Sequence, residues 1–557
     1  MNAGRWTRTT RGVYSRGRME RSPTRRTHLI AFAALLALAI VLRAWKLDAI
    51  PNPCADEGNW TWIPRDALLG RPANLPPDAR FVPMTFARMI QFSFAHFGVS
   101  FASARAVLAF GTVLGMLVTF AALVRARLPR AACVVAAVVA VHPWAVLWSR
   151  TVSVPYAFSM ACSTAGPALF FAAMEAERTR ERALLWVAAA QVLFVGMHFS
   201  PLAMVPIAAC GLYSLVRADR VKTLRSPWLW VALALGSVHA IPVVRGALSV
   251  AARGSTRPDS QFDHFATRLY TFARTIFGGI AGEATVRHFV GQNLPVVLEV
   301  AIATLVLGAI AFTVARSLPA GTNEDRGAMI RRFAAIYFVV ALVATPVILA
   351  PARPWQLRAI DSERYLFAVL APFALLLGGV AESPRRALRI GAVALAAYFA
   401  VPTARIAYGL ALGGSPDRGI YVLDDGGAYR GWRTPRERTA VALLVQHEVD
   451  AIMHGHPATI LVADYAFHPL HFVNAETAYP TVDVTKFSPQ SRPGERFFFV
   501  LWDDALFAPG YQPQRDVRWN RELREQMNRD YGEVRMVRRF VQPNGMPLFE
   551  VWTGVER

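Results

Sequence analysis

The sequence predicts a mainly α protein: a polytopic transmembrane helical bundle of about eleven spans, with interfacial helices in its first outer loop and a small C-terminal α/β extracytoplasmic domain. Three observations predict it. Apolar stretches rich in Ala, Leu, Val and Phe recur along the chain, each about 17–25 residues long, the length a helix needs to cross a bilayer. The arginines between them concentrate in alternate loops. After residue 412 the apolar stretches stop and a mixed helix and strand pattern begins. With 54% hydrophobic and only 18% charged residues, the composition excludes an ordinary soluble enzyme. Helices are the expected spanning element because lipid cannot satisfy backbone hydrogen bonds.

The spans fall at residues 29–45, 101–124, 131–148, 155–174, 183–197, 199–216, 228–244, 294–314, 333–350, 365–380 and 390–407. Only "HFSP" divides the fifth from the sixth. Residues 1–28 are Arg-rich and precede an apolar run, as in a signal peptide. The run ends in "LRAWKLDAI", with no small-residue cleavage site, so we expect a retained first span behind a cytoplasmic basic tail. With that end inside, the inner loops are "RARLPR", "EAERTRER", "RADRVKTLR", "RSLPAGTNEDRGAMIRR" and "AESPRRALR", all rich in Arg. The net charge of +22 is therefore read as a positive-inside bias, and no nucleic-acid partner is expected. The threading places residues 46–100, 245–293 and everything after Tyr408 outside. It divides the chain into a tail (1–28), a membrane domain (29–412) and an extracytoplasmic domain (413–557).

In the last of these, "RERTAVALLVQHEVDAIM" has helical spacing, and "ATILVAD" and "RFFFVLWDD" read as strands. "VRMVRRFVQPNGMPLFEVW" reads as a hairpin turning at Asn544-Gly545. Cys54, Cys133, Cys162 and Cys210 suggest no disulfide framework, since three of them lie in apolar runs.

The first outer loop carries the stretch with the most chemistry, "PNPCADEGNWTWIPRDALLG". Trp60, Ile63, Ala67 and Leu68 share one side at helical spacing and Arg65 and Asp66 lie elsewhere, as in a short helix lying apolar side down in the interface. Pro64 stands where it could end a first turn. "RFVPMTFARMIQFSFAHFG" reads as a second such helix. Asp56 and Glu57 then sit at headgroup depth, reachable by a lipid-borne phosphate and sugar from one side and by water from the other. The bland alternative is that both acids cap a helix N-terminus. Trp60 and Trp62 fit an aromatic belt better than a sugar platform.

"DEGNWTWIPRDALLG" resembles the Asp-Glu loop of the GT-C superfamily, polytopic glycosyltransferases that take a sugar from a polyprenyl-phosphate carrier. Within it the chain is most similar to the protein O-mannosyltransferases and the lipid A aminoarabinose transferases. "FGVSFASARAVLAFGTVLG", "HPWAVLWSRTVSVPYAF" and "SERYLFAVLAPFALLLGG" resemble that superfamily's second-span entry, its turn between third and fourth spans, and its Arg-Tyr late span. "FVPMTF" departs from the more usual Pro-Leu-Tyr-Tyr, and no motif in the C-terminal domain matches.

The resemblance implies an inverting transfer. An acceptor attacks the anomeric carbon while the lipid phosphate leaves from the opposite face. It implies Asp56 as general base and Glu57 as an acid that orients a neighbour. A leaving phosphate gains charge, which arginine forks stabilise. The candidates are Arg65, Arg105, Arg150 and Arg364, with a hydrogen bond from Tyr365 and a donor contact from His198. No metal site is assigned: the His454 and His468/His471 pairs lack completing ligands, and a divalent cation near Asp56 is compatible with an Asp-Glu pair without being specified by it. The implied partners are a polyprenyl-phosphate-linked sugar donor, a protein, lipid or polysaccharide acceptor, and the lipids of a bacterial inner (plasma) membrane. The rival classes are a secondary transporter, which would carry charges at mid-span and repeated halves, and a membrane scaffold with an outer binding domain.

Overall fold

The computed structural model describes residues 25–48, 55–70, 85–152, 155–216, 220–251, 278–290, 326–352, 363–411, 420–423, 429–432, 447–456, 458–462, 481–483, 494–504, 514–541 and 547–557, with residues 301, 305, 308 and 445. It is mostly helical. Helix α1 (Arg25–Ala44) leads to α2 (Ala55–Leu68) and α3 (Thr85–Phe97), in the stretch the sequence threading reads as the first outer loop. Then follow α4 (Phe101–Arg125), α5 (Pro129–Val141), α6 (Pro143–Trp148), α7 (Tyr156–Glu175), α8 (Thr179–Gly196), α9 (Met204–Val216), α10 (Arg220–Leu224), α11 (Pro227–Ser237) and α12 (Ala240–Ala251). After α13 (Glu283–Val290) come α14 (Arg326–Ala352), α15 (Phe367–Ala381), α16 (Arg386–Tyr398) and α17 (Ala400–Ala411). Among the described residues, five stretches are long and apolar enough to cross a membrane: Arg26–Ala44, Phe101–Arg125, Tyr156–Glu175, Arg326–Thr345 and Arg386–Tyr408. The predicted span at 294–314 lies outside the described residues except at positions 301, 305 and 308.

Several predicted spans are broken rather than straight. The stretch 131–148 divides at His142. Pro143 has no N–H, and its ring opposes a continuing helix. Side chains take over the backbone groups released there. His142 Nδ1 accepts from the Trp144 amide at 3.2 Å, its Nε2–H donates to the Ile280 carbonyl at 3.1 Å, and the Thr403 hydroxyl donates to the Val141 carbonyl. A polar break inside an apolar bundle is stable only when satisfied in this way.

Close helix approach comes from small residues. Gly111 and Gly115 of α4 face α7, where a Cβ on Gly115 would stand 2.5 Å from the Ala161 Cβ. Between α7, α9 and α14 the space is filled by aromatic rings, with Phe171, Tyr213 and Phe333 mutually 5.0 to 5.7 Å apart.

The tail contains a two-stranded ladder, β1 (Ile420–Leu423) with β2 (Tyr429–Trp432), and a five-stranded sheet. The sheet comprises β3 (Thr459–Val462), β4 (Thr481–Asp483), β5 (Arg496–Trp502), β6 (Tyr531–Val541) and β7 (Pro547–Glu556), in the order β4-β3-β5-β7-β6. β3 runs parallel to β4 and β5, while β7 is antiparallel to β5 and β6. The anticipated hairpin is the β6–β7 pair, although Asn544 and Gly545 lie outside the described residues. Strand β5 is apolar on both faces because both are covered. Phe497, Phe499 and Leu501 meet Leu523 and Met527 of α18 (Gln514–Asp530), whereas Phe498 and Val500 meet Val445 and Val449.

Candidate functional site

The described part of the candidate site is a polar clamp that holds the start of α2. Asp56 and Glu57 stand in the first turn of α2, which continues through Pro64 to Leu68. Pro64 does not end the helix as its position had suggested. It forfeits one backbone bond to Trp60, and the packing of the buried stretch from Thr61 to Asp66 outweighs that loss. The side chain of Asp56 lies outside the described residues.

Glu57 is fully buried and its carboxylate is saturated. Arg105 of α4 grips it with both prongs of its guanidinium, Nε to Oε1 at 2.8 Å and NH2 to Oε2 at 2.7 Å. The amide of Val152, in the turn before α7, donates to the same Oε1 at 2.7 Å. Two separate segments thus converge on the carboxylate of a third, which suits an acid that orients its neighbours. Arg105 also donates from NH1 to the Leu47 carbonyl at 2.8 Å.

Arg150 lies beside Arg105 and is turned to the end of α1. It donates to the carbonyls of Leu42 and Trp45, and to that of Lys46 at 3.2 Å. A helix C-terminus carries partial negative charge, so a guanidinium there is favoured. Burial and then the neighbouring Arg105 hold its pKa down to about 10, opposed by Asp48, and it stays cationic at neutral pH. Arg65 donates from Nε and NH2 to Asp66 Oδ1, at 3.0 and 2.7 Å. Both are buried, the reverse of the face expected from periodicity. Trp62 is buried and Trp60 is half-buried, its ring 5.7 Å from Phe86.

The remaining expected residues are Tyr365, Arg364 and His198. Tyr365 is buried, edge-on to Tyr156 at 5.4 Å, and the side chain of Arg364 lies outside the described residues. His198 belongs to a hydrogen-bonded chain. Its Nδ1 is 3.4 Å from the Thr85 hydroxyl at the start of α3, and its Nε2 is 3.3 Å from His239 Nδ1. His239 Nε2 lies 2.8 Å from Gln191 Oε1. An amide oxygen only accepts, so the chain resolves as two neutral Nε2–H imidazoles with the hydroxyl donating to His198. Burial and then His239 lower the pKa of His198. The histidine is therefore a strut for α3 in this structure. Among the described residues no three His, Cys, Asp or Glu side chains gather as a metal site would require.

Sequence reasoning missed Arg43. It is buried at the end of α1 and donates to Ala39, Val139, Ala140 and Ala145 carbonyls at 2.7–3.3 Å, stitching α1 to the α5–α6 break. The available signal was an arginine inside a predicted span, which needs a buried polar partner. The Val152 amide and the His239–Gln191 continuation left no such signal, because they are contacts between segments remote in the chain.

No family model and no curated protein matches the sequence. Solved structures do match in fold. ArnT from Cupriavidus metallidurans bound to undecaprenyl phosphate superposes with a TM-score of 0.54 at 14% identity, over 95% of this chain and 98% of that one. An Archaeoglobus fulgidus oligosaccharyltransferase tethered to an acceptor peptide gives 0.49 at 13% identity, over 94% and 74%. The archaeal oligosaccharyltransferase AglB from the same organism, in complex with an inhibitory peptide and a dolichol-phosphate, gives 0.45 at 13%, over 91% and 69%. The first likeness spans nearly all of both chains, so this chain shares the fold of that protein.

Proposed function

We propose that the protein is an inverting glycosyltransferase that moves a sugar from a polyprenyl-phosphate carrier to an acceptor on the outer side of the membrane. The observation that carries this reading is the Glu57–Arg105–Val152 clamp, which fixes the helix bearing Asp56 against the outer ends of two other helices. The fold shared with a protein solved bound to undecaprenyl phosphate supports the donor class.

In this reading Asp56 takes the proton of the acceptor hydroxyl or amine as its oxygen or nitrogen bonds to the anomeric carbon. The carbon–oxygen bond to the lipid phosphate breaks from the opposite face, and the phosphate leaves with the electron pair. Glu57 keeps α2 in place through its two-pronged pairing with Arg105. The phosphate's charge is met by the outer-end cations. The candidates for direct phosphate contact are Arg65, Arg105, Arg150 and Arg364, with Tyr365 donating to the same group. In this structure Arg65 holds Asp66, Arg105 holds Glu57 and Arg150 holds the end of α1, so contact from any of these three requires it to exchange a present partner for the phosphate. Eleven spans, a cytoplasmic N-terminus, a bacterial inner membrane and an outer α/β domain complete the proposal.

The test uses purified protein in detergent with a polyprenyl-phosphate sugar. Transfer, or slow release of free polyprenyl phosphate, is expected for the native chain and is lost in Asp56→Asn. Transfer retained by that variant removes Asp56 as base. Solute uptake into proteoliposomes without any transfer removes the whole reading.

A further inference from the structure

A cavity of about 680 Å³ opens far from the clamp, between the first turn of α8 and the start of α11. Thr179 and Arg182 line it from α8, Arg225 and Ser226 from the turn after α10, and Trp228 from α11. These residues belong to the arginine-rich loops that the threading places on the cytoplasmic face.

The charge of this surface is unbalanced in a specific way. Among the described residues, the three acids from the end of α7 to the first turn of α8 are all engaged by arginines from other segments. Glu175 pairs with Arg326 at 2.9 Å, Glu177 with Arg127 at 2.7 Å, and Glu181 with Arg125. Arg182 donates from Nε and NH2 to the Ala176 carbonyl, at 3.0 and 2.6 Å, which fixes its direction and leaves three N–H donors and its full charge. Neither Arg182 nor Arg225 has a carboxylate partner among the described residues. The cavity therefore offers two guanidinium groups, two hydroxyls and the N-terminal ends of α8 and α11, whose free amides add positive potential.

Beside the cavity runs an apolar track. Trp228, Val231 and Leu235, spaced along one face of α11, are 40%, 42% and 50% exposed. A free anion would have no use for such a track, whereas acyl chains attached to a headgroup would lie along it.

We propose that this cavity binds the phosphate headgroup of an anionic phospholipid from the inner leaflet, with its chains against α11. The idea is independent of the sugar-transfer reading and requires only that this face be cytoplasmic. Basic pockets between helices on that side have the chemistry for acidic headgroups.

The test is native mass spectrometry of the full chain in detergent, titrated separately with phosphatidylglycerol, phosphatidylcholine and inorganic phosphate. We expect saturable phosphatidylglycerol binding, at least tenfold tighter than phosphatidylcholine, and weakened roughly tenfold or more in Arg182→Gln/Arg225→Gln. Arg225→Glu alone, at an exposed position, serves as a second variant that need not disturb folding and should weaken binding similarly. Equal binding of both lipids, or unchanged affinity in the variants, overturns the proposal. Inorganic phosphate competing at equal concentration would show a free-phosphate site and overturn the lipid assignment.

Discussion

At the residue scale, the Glu57–Arg105 pair sets the terms. Both side chains are wholly buried, so each depends on the other to offset the loss of water. Removing one partner strands a charge. Glu57→Gln or Arg105→Met should each destabilise the chain by about 3–5 kcal/mol, and the paired change Glu57→Gln/Arg105→Met should cost clearly less than their sum. Additive losses, measured by thermal unfolding in one detergent, would show that the pair does not hold α2. A second prediction concerns pH. His198 has its folded pKa lowered by burial and by His239, so the folded state favours neutral imidazole. Above the unfolded value of about 6.5 the contribution is fully present. As pH falls below it the unfolded chain binds the proton more readily, and the Thr85–His198–His239 strut weakens. Proteolytic cleavage near the start of α3 should therefore rise between about pH 6.5 and 5, and less so in His198→Gln. Cleavage that stays flat across that range in the native chain removes the strut.

At the element scale, α4 and α7 approach through glycine. A Cβ on Gly115 would meet Ala161 at 2.5 Å and its Cα at 3.0 Å, where no flexible tip can move aside. Gly115→Leu should therefore force the helices apart and cost about 1–3 kcal/mol or more. Gly391 in α16 has nothing within 4 Å of its added Cβ, so Gly391→Ala should be neutral or stabilising by about 0.5–1 kcal/mol. Equal effects at the two sites would refute the packing account. What the sequence revealed at this scale followed from periodicity. The long apolar helices, the "HFSP" division, the strand runs and the β6–β7 pairing were all legible, because hydrophobic spacing records which face is covered. The face of α2 was not. Arg65 and Asp66 are 1% and 6% exposed and so are buried along with Ile63 at 2%, which the amphipathic reading had set on a different side of the helix. Adjacent opposite charges neutralise each other and enter the interior together, and periodicity counts each as polar. The break at His142 was equally hidden, since it is satisfied by Ile280 and Thr403 from distant segments. Among the site residues, the Asp-Glu pair and Arg105 stood out as charges at span ends, but which acid meets which arginine depends on the tertiary fold.

For the whole molecule, orientation decides whether clamp and cavity can do what is proposed for them. The clamp must face the side where lipid-linked sugars meet acceptors, and the basic cavity must face anionic lipid on the other. The arginine pattern predicts both at once, because Arg125, Arg127, Arg178, Arg182 and Arg225 fall in loops on the side opposite the α2 clamp in the threading. An experiment on intact cells stripped of their outer barrier tests it. Protease added from outside should remove a C-terminal tag and leave an N-terminal tag untouched until the membrane is permeabilised. A cysteine placed at exposed Arg225 should stay unlabelled by an impermeant maleimide under the same conditions, while one at exposed Phe97, at the end of α3, should react. The inverse pattern would turn the protein over. The carboxylate at position 56 would then face the cytoplasm and the Arg-rich loops would lie outside, against the positive-inside rule, and both functional assignments would fail together.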